Sequence, residues 1–129
     1  MHPADEQLFR LLEKDDGAPV VMLNLVKFRG AAGRETYLRY SRATMPLIKA
    51  RGGTILWAGD VEGVAIGDDE ADGWDYAVLV QYPSRAAFAE MMRSAEYAEG
   101  NHWRLEGLER HVLLATRTVY AKLQTGKAG

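Results

Sequence analysis

Residues 19 to 28 read PVVMLNLVKF, and a strand made of them is apolar on both sides. Side chains alternate across a strand. One face carries Val20, Met22, Asn24, Val26 and Phe28; the other carries Val21, Leu23, Leu25 and Lys27. An antiparallel sheet with one face in water alternates apolar and polar residues. This one does not, so both of its faces need cover. A last strand expected at about Arg110 to Tyr120 makes the same demand. It sets Val112, Leu114 and Thr116 against Leu113, Ala115 and Val119.

The remaining pattern limits what the cover can be. Ala4 to Lys14 has Leu8, Leu11 and Leu12 on one helical stripe, and DDGAP ends it at Gly17 and Pro19. RGAAGR reads as a loop. A long helix follows from about Arg34 to Arg51, with Pro46 expected to kink or divide it and Gly52-Gly53 to close it. Strands are expected at Thr54 to Val64, with Ile55, Trp57, Gly59 and Val61 on one face, and at Tyr76 to Tyr82. The acidic IGDDEADGWD between them fits a hairpin connection. Ser84 is placed to cap a helix carrying Phe88, Met91 and Met92, and a second short turn runs from Ser94 through Tyr97. EGNHWRLEGLER has no clear period.

The order is thus one helix followed by β-α-β-β-α-β. It predicts an α+β domain spanning 1–129: a ferredoxin-like antiparallel sheet with two main helices on one face. The core is expected at about 19–120, with an extra N-terminal helix in 1–16 and a flexible tail at 122–129. That N-terminal helix has too few large apolar residues to cover the second face. A second copy of the sheet is the better cover, so a homodimer is expected.

Composition removes several function classes. With 18 acidic against 16 basic residues and a net charge of −2, no basic field exists to draw nucleic acid or an anionic membrane. The absence of cysteine removes disulfides and thiolate chemistry. MHPADEQLFRLLEKDD lacks an apolar signal core, and no apolar run reaches membrane-spanning length. A soluble cytoplasmic protein without a membrane partner is expected. RNA-recognition domains share the βαββαβ order, but Val78 stands where a second stacking ring would be needed, and Trp74 and Asp75 replace the basic residue and glycine before it.

Six stretches occur in order: PVVMLNLVKF, IKARGG, LWAGDV, VQYPSRAAF, SAEY and RLEGL. Together they resemble the DUF1330 family of the dimeric α+β barrel superfamily, over roughly Pro19 to Thr118. The resemblance implies a ferredoxin-like protomer whose sheet faces that of a second copy, and it implies no particular reaction. Trp103 separates His102 from Arg104 where similar sequences often place His and Arg side by side, and the leading helix lies outside the shared core.

Superfamily relatives that oxidise small aromatics or degrade haem use an amide on the first strand, with a Trp and a His elsewhere in the cleft. Asn24, Trp57 and His102 are the matching residue types here. Such an amide could hold a substrate oxygen while aromatics pack the ring. It could equally be a core amide bonded to nearby backbone, with Trp57 in the core. Tyr37, Tyr40 and Thr44 form a helical stripe that is either core or pocket wall. Asp60 and Tyr82 lie at strand ends, where Asp60 also suits a turn. Ser84 is a cap and Arg85 a solvated helix residue. His102, flanked by Asn101, Trp103 and Arg104, is the best acid/base candidate; His111 reads as strand-starting and solvent-facing, and His2 as inert.

No metal-ligand spacing, phosphate loop or dinucleotide fingerprint occurs, so no metal and no cofactor are expected. The expected function is binding, with possible cofactor-independent oxidation or isomerisation, of a small organic molecule. Asn24 and His102 would act on it, with Trp57, Tyr40, Tyr37, Asp60, Tyr82 and Arg104 around it. A non-catalytic metabolite sensor and a purely structural dimer are the alternatives.

Overall fold

The computed structural model describes residues 3–68 and 73–123. Its elements are α1 (Pro3–Glu13), β1 (Val20–Phe28), α2 (Gly30–Ala50), β2 (Thr54–Asp60), β3 (Tyr76–Tyr82), α3 (Arg85–Met92), α4 (Ala95–Gly107) and β4 (Leu108–Thr116). The four strands form one antiparallel sheet in the order β2-β3-β1-β4, which is the ferredoxin-like arrangement. His2 and residues 124–129 of the expected tail lie outside the described residues.

β1 occupies the span that its β-branched valines favour. Met22, Val78 and Val80 bury one face of the sheet against Ile48 of α2 and Phe88 and Met91 of α3. Burying each such side chain stabilises the fold by roughly 1.5–3 kcal/mol. Ser84 caps α3, accepting from Ala87 N at 3.1 Å.

Two stretches differ from the sequence reading. After Arg29, which flanks the helix, the RGAAGR stretch belongs to α2, which begins at Gly30 and continues through Pro46 to Ala50. Its glycine at 33 serves packing, because a Cβ there would come within 2.6 Å of the Gly107 carbonyl oxygen. A Cβ on Gly107 would likewise meet the Gly33 oxygen at 2.9 Å. These two glycines let α2 and α4 touch backbone to backbone. The aperiodic EGNHWRLEGLER is mostly helix α4, capped by Ser94, whose hydroxyl accepts from Tyr97 N at 3.1 Å. β2 and β4 each end four residues earlier than expected, at Asp60 and Thr116, and β4 begins two residues earlier, at Leu108.

α1 packs on the helix side. Leu8 and Leu11 join the same core. Lys14 O accepts from Arg85 Nη1, and Asp15 Oδ2 accepts from Ala86 N, both at 3.2 Å. The opposite sheet face therefore stays open. Leu23, Leu25, Leu79 and Val112 lie half-buried on it, and Trp57 and Leu114 are each 47% exposed.

Candidate functional site

Between the sheet and the helices lies a cavity of about 1020 Å³, with exposed Met45 and Ile55 at its rim. Its walls are mainly apolar, and one polar chain crosses it. Arg104 on α4 places Nη1 3.2 Å from His111 Nδ1. His111 Nε2 lies 3.1 Å from Asn24 Oδ1, and Asn24 Nδ2 donates to Val78 O at 3.4 Å. A guanidinium only donates, so Nδ1 must accept and the proton sits on Nε2. Every bond then has one donor and one acceptor. Arg104 Nε also donates to Asn101 Oδ1 at 2.8 Å.

Burial, reinforced by the Arg104 charge, pushes the His111 pKa down to about 4. At neutral pH the imidazole is uncharged and behaves as a hydrogen-bonding relay between Arg104 and Asn24. Nearby, Tyr40 and Tyr97 share a hydroxyl–hydroxyl bond of 2.8 Å, with their rings edge-on. Burial pushes the Tyr37 phenol up to about 12 and holds Tyr40 and Tyr82 well above the usual tyrosine value. All three are neutral hydrogen-bonding groups.

Asn24, Tyr37, Tyr40, Tyr82 and Arg104 thus line one cavity. Three other candidates lie elsewhere. His102 is on the exposed side of α4, with Nδ1 2.9 Å from Glu106 Oε2 one turn on. Trp57 is on the open sheet face, because an irregularity between Ile55 and Trp57 turns Ile55 toward the helices and Trp57 away from them. Its ring lies across Gly59, where a Cβ would come within 2.5 Å of it. Asp60 binds Arg34 Nη1 at 2.8 Å in an exposed pair over a separate shallow groove.

The cavity residue that sequence reasoning set aside is His111. The available signal was slight: it shares a strand face with Leu113, a face that carries apolar residues further along. Nothing in the sequence says that this face continues the one holding Asn24. That needs the register, in which Asn24 pairs with Leu113 and Val26 with His111.

A family model described as a domain of unknown function, DUF1330, matches residues 26–118. The chain belongs to the DUF1330 family. A protein of unknown function from Rhodopseudomonas palustris is 31% identical, with a TM-score of 0.85 over 93% of this chain and 97% of that one. More distant structures share the DUF1330 chain's fold alone. A hydroxynitrile lyase from Passiflora edulis is 18% identical, with a TM-score of 0.61 over 78% of this chain and 93% of that one. A dimeric ferredoxin-like protein of unknown function from Thermobifida fusca is 14% identical, with a TM-score of 0.55 over 80% and 93%. No functionally curated protein matches the sequence. Among the described residues no helix of this DUF1330 chain is long and apolar enough to cross a membrane, and no three His, Asp or Glu side chains converge as a metal set.

Proposed function

We propose that this protein is a homodimer that binds a small, largely apolar organic molecule in the cavity of each protomer. The observation that carries the reading is the Arg104–His111–Asn24 chain, a directed polar line in a mainly apolar cavity. A few placed polar groups in an apolar hollow are what ligand sites use to orient a guest. Dimerisation is supported by the uncovered apolar sheet face and by the Thermobifida fusca relative's description as dimeric. Two sheets stacked through Trp57, Leu114 and their half-buried neighbours would remove that surface from water.

Binding is favoured over proton-transfer catalysis. An efficient general base has a pKa near the working pH. His111, at about 4, is too weak a base for that, and both of its ring nitrogens are engaged. Oxidation or isomerisation of the bound molecule therefore stands as the second reading, favoured only by the arrangement of Asn24 and a histidine at one cavity.

Native mass spectrometry, before and after incubation with small aromatic and keto compounds, tests the proposal. A dimer carrying one added ligand mass per protomer is expected. A monomer would remove the dimer, and a dimer that takes up none of the compounds would remove the binding function.

A further inference from the structure

Among the described residues Arg104 has no acidic partner. Its side-chain hydrogen bonds there go to Asn101 and to the neutral His111, and it belongs to none of the ion pairs. Those bonds use Nε and Nη1, so Nη2 takes part in neither. A half-buried guanidinium is costly without a counter-charge. The cavity's wider lining points the same way. It includes four arginines, Arg10, Arg42, Arg93 and Arg104, against one acid, Asp5, in a chain whose net charge is −2. A concave site of one charge sign concentrates ligands of the other.

We propose that the ligand is a small organic carboxylate, with its carboxyl group held by Arg104 and its apolar body against Met22, Val78 and Met91. This rests on the binding function proposed above and names the ligand's chemical class. Guanidinium groups match carboxylates in geometry as well as charge. Asn24 and the Tyr40 hydroxyl lie in the same cavity and can bond a further oxygen on the guest. Apolar contacts supply affinity, and Arg104 supplies the choice of head group.

The experiment is calorimetric titration of the full-length protein at low salt with matched pairs: straight-chain carboxylates from butanoate to octanoate, benzoate and phenylacetate, each beside its primary amide. At least one carboxylate is expected to bind ten-fold or more tightly than its amide. Arg104→Gln should erase that preference, and Arg104→Lys should keep part of it. A second readout is the His111 imidazole followed by NMR. A bound carboxylate beside Arg104 offsets the charge that helps depress the His111 pKa, so that pKa should rise with the acid and stay in place with the amide. Acids and amides binding equally, or the amides more tightly, would overturn the carboxylate proposal and leave the binding function standing. Failure of both series to bind would overturn the two together.

Discussion

His111 on β4 and Asn24 on β1 are diagonal neighbours across the strand pair, and the imidazole Nε2–H donates to the amide oxygen across 3.1 Å. The residue directly opposite Asn24 is Leu113. Diagonal neighbours in a sheet are within reach of long side chains. This contact joins the first and last strands and connects both to α4 through Arg104.

A buried neutral histidine makes stability depend on pH. The folded pKa is about 4 against an unfolded value of 6.5. Between those values the unfolded chain binds more protons, so stability rises with pH through the window and is fully present above about 6.5. It is lost as pH falls toward 4, by an amount on the order of 3 kcal/mol. Urea unfolding at pH 4.5 and pH 7 should show a larger loss for the wild type than for His111→Gln. Equal losses would mean that His111 does not titrate in this way.

Replacing Asn24 with Leu keeps the branched shape and removes the acceptor. The His111 Nε2–H is then left without its partner, which costs roughly 1–3 kcal/mol. The chain should still fold and dimerise, and it should bind ligand at least ten-fold more weakly. An Asn24→Leu protein that binds normally would make the amide purely structural.

The α2–α4 crossing tolerates no side chain at its closest point. Gly33→Ala sets a methyl group 2.6 Å from the Gly107 oxygen, a backbone atom that cannot swing aside. Overpacking of this kind costs roughly 1–3 kcal/mol. Because α4 carries Arg104, ligand binding should weaken along with the melting temperature. A variant as stable as wild type would show that the helices separate freely.

His102→Ala should change almost nothing. The residue is exposed and its Glu106 partner lies on the same surface. Surface substitutions of this type stay within about 0.5 kcal/mol. Ligand affinity should match wild type; a large loss would return His102 to the site.

Trp57→Glu tests the open face. The ring is 47% exposed in the protomer, so the protomer should keep its fold while sedimentation shows dimer giving way to monomer. A variant that remains fully dimeric would put the subunit contact elsewhere.

The aromatic stripe on α2 was legible, because Tyr37 and Tyr40 sit at helical spacing and helix faces follow from sequence periodicity alone. α4 was not. Its Gly107 is set by the neighbouring helix, since a Cβ there would meet the Gly33 oxygen and the Tyr37 nitrogen at 2.9 Å, and packing against α2 replaces an apolar period. The site was half legible for a related reason. Asn24 stood out as an amide in an apolar strand and Tyr40 by its helical spacing, whereas His102 and His111 are the same residue type and differ only in which side of the fold they face.

The sequence by itself determined the α+β order, the two apolar faces of β1 and hence the need for a layer beyond the two main helices. Local spacing suffices for that, because strand and helix periods are properties of the chain. Tertiary structure alone decided that α1 packs on the helix side, that Trp57 turns away from the cavity and that His111 meets Asn24. Each of these depends on how distant segments are set against one another. One extra residue in a strand sends every later side chain to the opposite face, and the irregularity between Ile55 and Trp57 is such a shift.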